Sequence, residues 1–136
     1  MEELYPKENL FMITGDHADR TNIEDTPTPF NRYTVPLIIY GDGINKEIFA
    51  DNIAGGHINI ASTLFEIIAP KDFVYYSLGK SLTRGGNASF NDNYWINNID
   101  GNMGQINGNE PESVKQYIKA CRTISWWRII KGNNIS

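Results

Sequence analysis

With 136 residues, 40% hydrophobic and 12% aromatic, the chain can bury a core and reads as one piece over 1–136. Its net charge of −4, with no basic cluster along the sequence, argues against a nucleic-acid surface. No run approaches the ~18 apolar residues of a membrane helix, the sequence carries no signal-peptide pattern, and the lone Cys121 excludes an internal disulfide.

The first expected element is Asn9 to Thr14, a short continuous apolar run of the kind that forms a strand buried on both faces. It stops at Gly15-Asp16-His17. Such a strand delivers a carboxylate and an imidazole to its carboxyl end, where the two can converge on one metal ion. Gly15 would let the backbone leave the strand's alternation, which otherwise points Asp16 and His17 to opposite faces. Taken alone, the same residues fit a surface turn. Residues 18–33 are polar, with Asp19, Arg20, Glu24, Asp25, Pro27 and Pro29, and are expected to form a long loop. Val35 to Tyr40 is the second strand, with Pro36 near its start, where a missing backbone donor does least harm. Gly41-Asp42-Gly43 closes it; this segment and Gly55-Gly56 are turns rather than phosphate loops, since neither carries a Walker or dinucleotide pattern.

Asn59 is placed to cap a helix running to about Ala69, with Ile60, Leu64 and Ile67/Ile68 as its buried stripe and Pro70 as its stop. From Gly85 to Gly108 the chain is rich in Gly and Asn, with Phe90, Tyr94 and Trp95 among them. This stretch reads as hairpins around Asn91-Asp92-Asn93 and Asp100-Gly101-Asn102. A last helix starts near Asn109, with Glu112 placed for a capping-box-like return, and ends at Gly132. Its apolar face is Val114, Tyr117, Ile118, Cys121, Ile124 and Trp127. A core helix accounts for Trp126-Trp127, and a strand edge for Tyr75-Tyr76, more simply than carbohydrate stacking does. Cys121 reads as inert packing. The order of elements implies an α/β layout.

The segment Ala54-Gly55-Gly56-His57-Ile58-Asn59-Ile60-Ala61-Ser62-Thr63-Leu64 carries the other histidine. Taken in order, Thr14-Gly15-Asp16-His17, Val35-Pro36-Leu37-Ile38-Ile39-Tyr40-Gly41 and Gly56 to Leu64 resemble a known arrangement. It is the C-terminal third of the sulfatase-type catalytic domain in the alkaline phosphatase superfamily. The strongest likeness is to lipoteichoic-acid-synthase-like phosphoglycerol transferases. That family shows a strand ending in (T/G)-D-H, then (I/V)-P-L-I-(I/F)-Y-G, then (S/G)-H-(I/V)-D-(I/V)-x-P-T-L at a helix start. The ordered matches span residues 9 to 82. The chain departs from the pattern at Asn59, where an aspartate is usual, and at Ser62, where a proline is usual.

The resemblance implies an α/β fold, the C-terminal fragment of an alkaline-phosphatase/sulfatase-like sheet flanked by helices. It implies that Asp16 and His17 bind the metal that activates a threonine, serine or formylglycine nucleophile. A hard carboxylate with an imidazole suits Mn²⁺ or Zn²⁺, with Mn²⁺ preferred. A phosphate or sulfate ester repels an anionic nucleophile, so a cation must screen it. His57 would hold a second ion, contact substrate, or bond to backbone as a structural residue; Asn59 orients an imidazole less well than an aspartate does. Arg20 reads as a solvated loop arginine or as a fork for a phosphoryl oxygen. Thr14, Ser62 and Thr63 are not nucleophiles: the first lies in a strand, and the others are first-turn hydroxyls that bond to backbone. The nucleophile and the first metal ligand are expected upstream of these residues, in an N-terminal part of the same domain.

The function implied is transfer of a phosphoglycerol or related phosphate group from a lipid donor to a polymer or glycan, through a covalent intermediate at a divalent metal. The parent enzyme would be membrane-anchored, with its catalytic domain outside the cytoplasmic membrane, and this portion alone would be inactive. The rivals are a sulfatase or phosphatase that hydrolyses its ester, and a non-catalytic binding module. Sulfatases more often carry Asp-Asn where this chain has Asp16-His17, which favours phosphate over sulfate.

Overall fold

The structure is a computed structural model that describes residues 9–18, 26, 28–49, 53–85, 88–97 and 102–132. It is mixed helix and sheet, with two small antiparallel sheets and three α-helices. The chain forms two compact units, Met1–Ile48 and Phe49–Ser136.

In the first unit, β1 (Leu10–Thr14) pairs antiparallel with β2 (Leu37–Gly41), and between them lies a short helix, α1 (Pro29–Tyr33). The two apolar runs are therefore strands, as expected, and they pair with each other, although β2 begins after Pro36 and a helical turn interrupts the expected loop. The expectation of burial on both faces does not hold. Facing pairs alternate, so Met12 opposite Ile39 is half-buried, while Phe11 opposite Tyr40 and Ile13 opposite Ile38 form an exposed face. Ile13 is 57% and Tyr40 71% exposed. Among the described residues no third strand joins this pair, and the side-chain period of two sends every second residue to the exposed face.

The second unit opens with a 3-10 turn, His57–Asn59, that runs straight into α2 (Ile60–Ile68). The expected stripe of Ile60, Leu64 and Ile67/Ile68 is not what this helix buries. Ser62 and Thr63 are fully buried, Ile60, Leu64 and Ile67 are half-buried, and Ile68 faces solvent. A three-stranded antiparallel meander follows, made of β3 (Ala88–Phe90), β4 (Tyr94–Asn97) and β5 (Met103–Gln105). The β3–β4 hairpin turns at Asn91-Asp92-Asn93 as expected. There the Asn91 side-chain oxygen accepts from the N–H groups of Asn93 (2.8 Å) and Tyr94 (2.7 Å). The turn expected at Asp100-Gly101-Asn102 lies largely outside the described residues. Tyr75-Tyr76 lies on no strand: Tyr75 packs against Phe65, and Tyr76 is exposed.

Helix α3 (Glu112–Lys131) packs Val114 and Ile118 on Trp95 of β4, with Phe90 and Ile106 at the rim. Phe90 meets Tyr117 edge-on at 5.8 Å. Cys121 is buried one turn further on. Burial, and next the neighbouring Cys121, push the Tyr117 hydroxyl up to about 12. The expected apolar face extends only this far, because Ile124, Trp126 and Trp127 are exposed.

The start of α3 is organised by Glu110, not by the expected Glu112. Glu110 is buried, and one carboxylate oxygen accepts from the N–H groups of Asn107 and Gly108, the latter at 2.8 Å. The Gly108 N–H, with those of Glu110 itself and Asn107, holds the Glu110 carboxyl below the usual carboxylate range. That stabilisation is fully present above the unfolded glutamate pKa and is lost as pH falls through the depressed folded value. Thermal melts followed by circular dichroism should therefore show the midpoint dropping through the acid range. Glu110→Gln should melt lower at neutral pH and show a shallower acid slope; parallel pH profiles for the two proteins would contradict this role.

Candidate functional site

Two clusters bear on function, one in each unit. In the first, β1 ends at Gly15 and the chain turns so that Asp16 and His17 project on the same side. The Asp16 carboxylate accepts from the backbone N–H of the next residue, His17, at 2.9 Å. The His17 ring nitrogen Nδ1 lies 3.0 Å from the Ala18 carbonyl oxygen, which makes Nδ1 the N–H side of the neutral ring and gives Nε2 the lone pair. Nε2 lies 3.6 Å from Asp16 Oδ2. The turn does not draw on glycine's conformational freedom. Gly15 is not in the left-handed region, and a Cβ there would meet its neighbours no closer than 3.4 Å.

This geometry fits a shared cation. Two donor atoms about 2.1 Å from one tetrahedral ion lie about 3.4 Å apart, close to the observed spacing. A ring N–H anchored on a backbone carbonyl is also the usual way in which a metal-ligating histidine is oriented. Both side chains are open to solvent, at 70% for His17 and 89% for Asp16. Among the described residues, no three His, Cys, Asp or Glu side chains gather as a ligand set. Arg20 lies outside the described residues.

The second cluster surrounds Asn59, and His57 sits at its edge on the exposed side of the 3-10 turn. The Asn59 side chain is 1% exposed. Its amide oxygen accepts from the Gly56 N–H at 2.8 Å, and its amide nitrogen donates to the Lys80 carbonyl at 2.7 Å. Its backbone carbonyl accepts from Ser62 Oγ at 3.0 Å and Thr63 Oγ1 at 2.7 Å, and Thr63 Oγ1 in turn accepts from the Leu82 N–H. Asn59 thus occupies the cap position of α2, but its side chain bonds backward and across rather than to the helix's own first turn. Gly79 closes the cluster: a Cβ there would sit 2.0 Å from the Ile58 carbonyl oxygen.

Ser62 and Thr63 bond to backbone, as the sequence suggests, and their hydroxyls are committed to this network. Sequence reasoning missed that Asn59 is the hub. The signal available was the residue type itself: a lone amide beside a helix start, whose donors and acceptor need partners when buried. A cavity of about 320 Å³ opens beside Asn59, with Lys80, Asn97, Ser113 and Tyr117 in its wall. Comparison with protein families, curated proteins and solved structures found no match to the chain.

The Asn59 network makes a direct test possible. An aspartate would keep the acceptor for Gly56 but set a carboxylate oxygen against the Lys80 carbonyl, two acceptors facing each other without a proton. Asn59→Asp should therefore destabilise the chain by on the order of 3 kcal/mol at neutral pH, as an uncompensated buried charge does. Denaturant unfolding reads this. A loss under ~0.5 kcal/mol would mean that the amide nitrogen is dispensable.

Proposed function

We propose that the chain is the C-terminal part of a metal-dependent phosphoglycerol transferase of the sulfatase-like branch of the alkaline phosphatase superfamily. The observation that carries this reading is the paired approach of Asp16 and His17 at the carboxyl end of β1, with Nε2 and Oδ2 3.6 Å apart. The two residues would hold Mn²⁺ or Zn²⁺, whose chemistry is to screen the charge of a phosphate ester and lower the pKa of a hydroxyl nucleophile. His57 would contact substrate or a second ion, and Arg20 a phosphoryl oxygen.

The β1–β2 pair supports the idea that these residues belong inside a larger sheet. Both of its faces are apolar, and four large side chains on one of them are exposed. Apolar strands on both faces are characteristic of sheets covered on both sides. The cover for this face would be the N-terminal part of the same domain, which would also supply the nucleophile and further ligands. The donor would be a lipid-linked phosphoglycerol, the acceptor a cell-envelope polymer or glycan, and the parent membrane-anchored with this domain outside the cytoplasmic membrane. No helix among the described residues is long and apolar enough to cross a membrane.

Two solvent-exposed ligands make a weak site, so isothermal titration of the chain alone should show low-affinity Mn²⁺ or Zn²⁺ binding that is lost in Asp16→Ala and in His17→Ala. The chain alone should show no phosphodiesterase, phosphatase or sulfatase turnover. In the full-length parent, either substitution should abolish turnover, and Arg20→Ala should be milder. Robust Mn²⁺-dependent hydrolysis of a generic phosphodiester by this chain, abolished by His17→Ala, would overturn the proposal of a divided active site.

A further inference from the structure

Helix α3 is 20 residues long, but its core contacts stop early. The last fully buried position is Cys121 and the last half-buried one Ser125, after which every residue from Trp126 to Lys131 is exposed. Those six are Trp-Trp-Arg-Ile-Ile-Lys, with Trp126 at 64% and Ile129 at 79% exposure. At about 100° per residue, Trp126, Ile129 and Ile130 stand at the i, i+3, i+4 spacing with Trp127 at their flank, one apolar face roughly 160° wide, and Arg128 lies on the opposite side. A face of Trp and Ile set against a basic face is the pattern of a helix that lies in a lipid interface.

The charge of the helix selects the kind of lipid. α3 carries Lys115, Lys119, Arg122, Arg128 and Lys131 against a single acid, Glu112, in a chain that is acidic as a whole. Arg128 and Lys131 border this apolar face on the other side of the helix, Lys131 one turn after Trp127. Their long apolar stems can lie beside those side chains while the charged heads reach phosphate. Tryptophan favours this boundary, since its ring is apolar and its indole N–H needs a polar partner. We propose that the C-terminal end of α3 is an interfacial anchor that inserts Trp126, Trp127, Ile129 and Ile130 into the headgroup region of an anionic lipid surface. This goes beyond the transferase reading and is independent of the Asp16–His17 chemistry.

The test is flotation of the chain with phosphatidylcholine vesicles, with and without phosphatidylglycerol, alongside tryptophan fluorescence. Trp95 is buried in the core, so an emission change reports the two exposed indoles. The expected result is a blue shift and co-flotation with anionic vesicles, weakened about tenfold or more in Arg128→Glu/Lys131→Glu and also in Trp126→Ser/Trp127→Ser. All four positions are exposed, so the variants should keep the parent circular dichroism spectrum. Asp16→Ala should float like the parent. Equal retention on both vesicle types, or binding unaffected by either double variant, overturns the proposal. So does a concentration-dependent dimer in sedimentation that Trp126→Ser/Trp127→Ser removes, with no flotation; it would assign the helix end to a second copy.

Discussion

Asn59 is an amide taken almost completely out of water, and a buried amide is tolerated only when its donors and acceptor are used. Here the requirement is met by three separate stretches of chain. The oxygen holds Gly56 at the entry to the 3-10 turn, the nitrogen holds Lys80 in the return segment, and the main-chain carbonyl holds the first-turn hydroxyls of α2. Thr63 then passes the connection to Leu82, so the turn, the helix and the return segment are set by one chain of hydrogen bonds. Gly79 allows the close approach because its backbone lies against the Ile58 carbonyl. His57 thus enters on a turn whose next-but-one residue is held by hydrogen bonds on both ends of its amide.

The extended runs were legible because apolar residues clustered without interruption, and such runs pair. Which face they bury was not legible. Period-two alternation assigns sides only relative to whatever covers the sheet, and Phe11, Ile13, Ile38 and Tyr40 read the same whether or not a neighbour lies over them. The hairpin at Asn91 was readable because its turn residues act locally, through a side-chain oxygen bonded to nearby backbone N–H groups. Helix α2 was readable in extent but not in orientation. Its apolar positions suggested an ordinary stripe, yet a hydroxyl pair satisfied within the fold was the part placed inside.

The candidate site divides along the same lines. That Asp16 and His17 could meet followed from adjacency at a strand end, a local property. The tautomer-setting contact to Ala18 is also local, but it depends on backbone direction rather than residue type and so left no mark in the sequence. Glu110 was passed over in favour of Glu112 because capping patterns are counted from a helix start. The start shifted by Pro111, which leaves Glu110 outside the helix and facing the preceding loop. The basic character of α3 went unnoticed for a simpler reason: its five cations are spread over four and a half turns and form a group only once the helix is made.

Cys121 is the chain's one thiol, and it sits on the buried side of α3 one turn after Tyr117, where burial raises its pKa. A thiol reagent attacks the thiolate, so in the folded protein both access and ionisation are suppressed at this atom. Modification then has to wait for a local opening that uncovers this stretch of α3, and its rate under mild reagent counts those openings. The cysteine is accordingly a built-in clock for the opening of α3 around its own position, one that runs without any added label.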